Sequence, residues 1–251
     1  APRLRGAVTQ GTYRSHFTEP VEHLLPVPDR VPDQQLGTLW LPHLTAWGCL
    51  VWKQQLQPGQ WVGIPAASSS VGLAAGQIVK AHGGTAVGFT SHPEKAERLR
   101  ELDACAFDHL IVTHEADRSL KPWHREIREL TEDRGIDVFF DPVAAGAYLE
   151  SEVKSLATGG TVWIYGLLGG AGAVDLTPLI RKRAAIRGFA LTELIQAGVD
   201  AWRPGCDHIL QGFADGRYCQ HVGQTFALDD VRQAHEFMEQ GGHIGKLVLL
   251  P

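Results

Sequence analysis

No apolar run approaches the about eighteen residues that a membrane-crossing helix needs, and the opening Ala1-Pro2-Arg3-Leu4-Arg5 lacks the apolar stretch of a secretion signal. A cytoplasmic protein without a membrane partner is expected. Basic runs are missing too. The 23 Lys and Arg stand against 28 Asp and Glu, a formal net charge of -5, which argues against a nucleic-acid or anionic-membrane partner and leaves small soluble ligands. The four cysteines, Cys49, Cys105, Cys206 and Cys219, form no C-x-x-C pair, so neither a disulfide scaffold nor a structural zinc knot is suggested. Twelve histidines show no H-x-x-x-H spacing on a predicted helix, and no metal is expected.

What is present begins with the stretch from Gly63 to Ala75, where a short apolar strand runs through small residues into an apolar-periodic helix. Unpaired N–H groups and the positive dipole end at the front of such a helix suit a dinucleotide diphosphate, provided the side chains stay small. Set against G-x-G-x-x-G, the frame falls on Ala67, Ser69 and Gly72, so only the last glycine survives, where helix and strand pack closely. The run Ser68-Ser69-Ser70 followed by Val71, taken alone, reads more readily as an ordinary loop than as a phosphate site. Its context favours a cradle: a strand over 61–65, a helix over 71–81 and a second strand over 85–90 make one βαβ unit.

An acid at the end of the second strand normally accepts hydrogen bonds from the adenosine ribose hydroxyls. Thr90 and Ser91 stand there instead, with His92 and Lys95 just beyond. Nothing repels a 2′-phosphate at that place, and a hydroxyl and an ammonium can receive one, so NADPH is expected over NADH. The competing reading makes Lys95 and Arg98 the solvated face of a helix over 93–102, diluted by Glu94 and Glu97.

The alternation continues with strands over 109–113, 137–141, 161–165 and 185–191 and helices over 123–133 and 147–156, with a Gly-rich loop after the strand 161–165. Six strands with crossover helices predict a doubly wound parallel sheet of the Rossmann type. Residues 1–44 look Pro-rich and strand-like, and 192–251 look helix-rich, closing on a strand over 246–250. Asp229 is expected to open an amphipathic helix with Val231, Ala234, Phe237 and Met238 inward, ended by Gly241-Gly242.

Several motifs stand in order along the chain: Gly11-Thr12-Tyr13, Leu25-Pro26-Val27-Pro28-Asp29, a turn Leu44-Thr45-Ala46-Trp47-Gly48, the serine loop, Phe140-Asp141-Pro142-Val143, Tyr165-Gly166, Arg187-Gly188-Phe189-Ala190-Leu191 and Gly245-Lys246-Leu247-Val248. Together they resemble the zinc-free quinone oxidoreductase (zeta-crystallin-like) branch of the medium-chain dehydrogenase/reductase superfamily. The resemblance implies that Thr45 faces the nicotinamide, that Ala67 to Gly72 hold the pyrophosphate, and that Ser91 with Lys95 hold the 2′-phosphate. It further implies that Asp141, Pro142 and Val143, with Tyr165, Gly166 and Leu167, line the nicotinamide and its ribose, and that Phe189 and Lys246 close the cleft. Without it, Asp141 reads as a turn former, Phe189 as core and Lys246 as an exposed strand charge. The position of a metal ligand in zinc-dependent relatives, four residues before Thr45, is Leu41, which cannot coordinate zinc.

By the same resemblance, 1–45 is a remnant of an incomplete GroES-like catalytic lobe, 46–191 the NADP-binding Rossmann domain, and 192–251 a segment returning to the lobe. Most of the substrate side is then absent from this sequence, and no catalytic residue is named. The expected activity is hydride transfer from NADPH to a quinone or an α,β-unsaturated carbonyl compound, without metal. Enoyl-thioester reduction, or a truncated non-catalytic NADPH-binding protein, are the alternatives. The apolar edge strand over 185–190 suggests a homodimer.

Overall fold

The computed structural model describes residues 11, 13–16, 18, 21, 24–170 and 172–251. Thr12 of the first motif and residues 1–10 lie outside them. Helix α1 (Asp33–Leu36) is followed by α2 (Trp40–Trp47), which continues into a π-helical turn over Gly48–Lys53. Among the described residues up to 44 there is no strand, and the expected turn around Thr45 is helix. The reason is local: Pro42 falls in the first turn of α2, where its missing N–H costs nothing, and the buried Leu44 and Trp47 stand three residues apart on the helix.

The strands β1 (Trp61–Ile64), β2 (Thr85–Thr90), β3 (His109–Val112), β4 (Ile136–Asp141), β5 (Leu156–Ile164) and β6 (Ala185–Gly188) form one parallel sheet in the order β3-β2-β1-β4-β5-β6. Crossover helices α3 (Ser70–Ala81), α4 (Pro93–Arg100), α5 (His124–Leu130) and α6 (Gly146–Ser155) link them. The expected doubly wound sheet is thus observed. Its topological switch point lies between β1 and β4, where ligands bind outside the carboxyl ends of the strands.

Strand period sorts the core into two layers. Val62, Ile64, Val138 and Phe140 pack on one face, with Ile78 of α3 and Trp163 of β5. Val87, Phe89 and Phe139 pack on the other, with Trp123 and Tyr148. A Cβ at Gly63 would run into the ring of Phe139, so the bare backbone of β1 leaves the slot that this ring fills. Burying a whole phenylalanine contributes roughly 2–3 kcal/mol.

Within the expected Gly-rich loop the chain forms α7 (Thr177–Lys182), which Pro178 at its start and Arg181 and Lys182 at its end support. β6 stops at Gly188, two residues short of α8 (Leu191–Gln196). The long α9 (Val199–Asp215) ends on Gly216 at φ 83° and seats Gly205 under the ring of Trp47. A strand not anticipated, β7 (Val222–Ala227), then pairs in parallel with β8 (Lys246–Leu250) through α10 (Val231–Glu239). Only Ala234 of α10 is buried; Phe237 and Met238 are 36% and 46% exposed, against the expectation that they point inward. A sheet of two strands offers too little surface to cover that face.

Gln77 of α3 ties this return to the sheet. Its Nε2 donates to the carbonyls of Ala104 and Cys219, each at 2.9 Å, and its Oε1 accepts from the Cys219 amide at 3.0 Å.

Candidate functional site

At the carboxyl end of β1 the chain turns through Ala66 at φ 49°, and the Ala67 amide donates to the Phe89 carbonyl of β2 at 3.0 Å. Ser69 caps α3, its Oγ accepting from the Gly72 amide at 3.0 Å. The amides of Ser70 and Val71, in the first turn, have no partner inside the helix. A Cβ at position 72 would lie 2.7 Å from the Ala66 carbonyl and 2.9 Å from the Ala67 Cα, so helix and turn touch only because Gly72 has no side chain. Ser68, Ser69, Ser70 and Val71 are half-buried, while Ala67 and Gly72 are buried. Small, open-faced and free of acid in the first turn of the helix, this corner fits a dinucleotide diphosphate.

Thr90 is buried at the end of β2, its carbonyl accepting the amide of Thr113 at 2.9 Å and that residue's hydroxyl at 3.2 Å. Ser91 is half-buried beside it. Lys95 does not stand free: its Nζ donates to the Gly241 carbonyl at 2.7 Å. Burial, then the nearby Arg98, pull its pKa down.

On the other side of the switch point, Asp141 is fully buried and folds back on its own loop, accepting from the amides of Val143 at 2.6 Å and Ala144 at 2.8 Å. Burial pushes its carboxyl up, against the pull of those two amides. Pro142 is buried and Val143 half-buried. Tyr165 stacks on Phe140 with ring centres 3.9 Å apart, and its buried hydroxyl has no hydrogen-bond partner. Gly166 approaches the Pro142 carbonyl so closely that a Cβ would stand 3.0 Å from it, and Leu167 is exposed. Behind this loop lies Glu152, fully buried, whose carboxyl is pushed far up by burial and by the charge of Asp141.

Thr45 is nearly buried and donates its hydroxyl to the Leu41 carbonyl at 2.6 Å. Phe189 is buried against Gly48 and Leu194. A cleft of about 700 Å³ opens between α2, the front of α3 and the β7–β8 lobe. Of the expected residues it brings together Ser69, Ser70 and Lys246; the others are not on its wall. Lys246 is half-buried there, which lowers its pKa, and its ammonium has no ion-pair partner among the described residues. Leu41, His243, Gly245 and Met238 also line it. His243 and Gly245 carry no individual expectation from the sequence; the signal for them is Gly241-Gly242-His243-Ile244-Gly245, a glycine-flanked imidazole just before a strand, which by itself marks no more than a helix end. Among the described residues no three His, Cys, Asp or Glu converge as metal ligands.

A family model described as a zinc-binding dehydrogenase matches residues 70–208, more than half of the chain. This chain belongs to that family. Its relatives place it in the quinone oxidoreductase branch of the medium-chain dehydrogenase/reductase superfamily. A quinone oxidoreductase of Rattus norvegicus is 26% identical over 90% of this chain and 65% of its own length. A phenolphthiocerol/phthiocerol polyketide synthase of Mycobacterium tuberculosis is 29% identical over 95% of this chain, but over 11% of its own length. The chain therefore spans about two thirds of the first of these relatives and about a tenth of the second.

Two solved structures agree in fold. An NAD-dependent alcohol dehydrogenase shares 27% identity at a TM-score of 0.80, covering 96% of this chain and 65% of its own. A mycobacterial protein complexed with NADPH shares 24% at 0.78, covering 90% and 68%.

Proposed function

We propose that this family member binds NADPH and reduces a quinone or an α,β-unsaturated carbonyl compound without a metal. The observation that carries the reading is the front of α3: a Ser69 cap, a Gly72 that no larger residue could replace, and a first turn without an acidic side chain. The preference for NADPH over NADH is supported by the absence of a carboxylate at the end of β2, where Thr90, Ser91 and Lys95 stand.

When bound, the cofactor supplies the hydride. The protein's residues do the rest. Ser68 to Gly72 anchor the diphosphate, and Ser91 and Lys95 take the adenosine phosphate. Asp141, by fixing the Val143 and Ala144 amides, holds the loop that would line the nicotinamide, and Tyr165 and Gly166 pack against it. Leu41 offers hydrocarbon where a zinc enzyme of the superfamily would hold a ligand, so polarisation of the acceptor oxygen falls to hydrogen-bond donors.

The test is calorimetric titration with NADPH and NADH, followed by NADPH absorbance in the presence of a quinone and of an enone. Binding of NADPH with consumption in at least one assay is expected; failure to bind either nucleotide would sink the reading. A second reading, reduction of an enoyl thioester, draws support from the match to a polyketide synthase over 95% of the chain. It is separated from the first by offering the enone as a simple ketone and as an acyl thioester.

The domain division proposed is a Rossmann unit over 46–191 with flanks belonging to a second lobe. A homodimer through the outer edge of β6 is proposed as well, because no further strand covers that edge among the described residues. Light scattering at the mass of two chains is the expected result.

A further inference from the structure

Residues 241–245, between α10 and β8, form a strap tied at both ends to the residues assigned above to the cofactor. At one end the Lys95 ammonium holds the Gly241 carbonyl at 2.7 Å. At the other, the Gly245 amide donates to the Ser68 carbonyl at 2.8 Å, in a parallel bridge beside Ser69. Between them His243 lines the cleft, its ring centre 6.2 Å from that of Phe237. Its Nδ1 is shielded from solvent and has no hydrogen-bond partner.

The charge that acts on His243 is basic. Lys95 of α4 lies close enough to His243 to disfavour its protonated form, after burial itself. Arg98 does the same to Lys95 and to His221, which precedes β7, and His92 does it to His114 beyond β3. Each of these groups feels another base, and no carboxylate is among the influences on any of them. Glu94 and Glu97 are on the exposed side of α4. On β8, Lys246 adds a further ammonium to the same cleft. A shielded imidazole nitrogen without a hydrogen-bond partner, near a Lys95 ammonium that pairs with no carboxylate among the described residues, is a site short of one anion.

We propose that the strap is the second wall of that anion site and that His243, together with Lys95, recognises the phosphomonoester that distinguishes NADPH from NADH. The proposal rests on the dinucleotide reading above and deepens it. The serine loop grips the diphosphate common to both cofactors, and the strap reads the one group that differs. Lys95 exchanges a neutral carbonyl for a phosphate oxygen, a stronger charge-assisted bond, and thereby frees Gly241. His243 binds the phosphate best as imidazolium, so NADPH affinity rises as pH falls from about 8 toward about 6.5, above the second ionisation of a phosphomonoester near about 6. NADH affinity stays level over the same range.

The experiment is calorimetry of the whole chain with NADPH and with NADH at both pH values, for the wild type, His243→Gln and Lys95→Met. The wild type is expected to favour NADPH, more so at the lower pH. His243→Gln should weaken NADPH by roughly tenfold, flatten its pH dependence and leave NADH within about twofold, as loss of one hydrogen bond to a charged group does. Lys95→Met should weaken NADPH at both pH values. Retained NADH binding certifies the fold of each variant, and if one variant loses it the other decides. NADPH affinity unchanged in a variant that still binds NADH overturns the proposal and leaves the dinucleotide reading standing. A wild type that binds neither nucleotide overturns both.

Discussion

The sheet and the C-terminal return are built from similar residues and packed to different standards. In the sheet Phe139 fills a slot left by a glycine on the neighbouring strand and touches Phe89 and Trp123, ring to ring. In the return Phe237 meets Phe226 and His243 at the edge of solvent, and Met238 looks into the cleft. Six strands with helices on both faces enclose their side chains, whereas two strands and one helix leave theirs on a wall. The difference marks where the enclosed core ends and the wall of the cleft begins.

Phe139→Ala gives the largest expected loss, about 4 kcal/mol in chemical denaturation, because the slot cannot collapse against β1. If that variant were no less stable than Met238→Ala, the contrast between the two regions would be broken. Gly72→Val is next: forcing a side chain against Ala66 and Ala67 should cost about 2–3 kcal/mol and remove dinucleotide binding in calorimetry.

The pH dependence of stability sharpens the contrast from the electrostatic side. Glu152 has a carboxyl raised by burial, so the folded state keeps a proton that the unfolded chain releases in the ordinary carboxylate range. Its contribution is full below that range and is lost as pH climbs through the raised folded value. Asp141, raised for the same cause, adds to the slope. Glu152→Gln should therefore flatten the fall in melting temperature as pH rises from the ordinary carboxylate range to the raised folded value, and an unchanged slope would count against a protonated Glu152. In the return, Phe237→Ala should cost less than about 1 kcal/mol, being partly exposed already. Smallest of all, Arg232→Ala breaks an exposed i,i+4 pair with Glu236 and should cost roughly 0.3 kcal/mol by thermal melting.

The sheet is legible in the sequence because each buried parallel strand is a short apolar run ended by small or polar residues, as in 61–65 and 85–90, and because Gly72 occupies the place where helix meets turn. Less of the return can be read. β7 carries glycine, glutamine and threonine, which pair along the backbone with little apolar signal. The apolar periodicity of α10 points Phe237 and Met238 inward, but which side is inside depends on how many strands lie beneath, and that is not a local property. The expected turn at Leu44 to Gly48 is helix, and Pro42 is compatible with it only because it falls in the first turn. Of the expected site, the strand-end residues lie at the strand ends, yet only Ser69, Ser70 and Lys246 share the cleft wall, since its shape is set by the strap and α2.

Gln77 gives the two regions a common pivot. One carboxamide is stitched by three hydrogen bonds to backbone at Ala104 and Cys219, so α3 cannot slide along its axis without severing them together. The carboxyl-terminal segment is thus fastened to α3 at residue 77 as well as through the strap's bonds to Ser68 and Lys95.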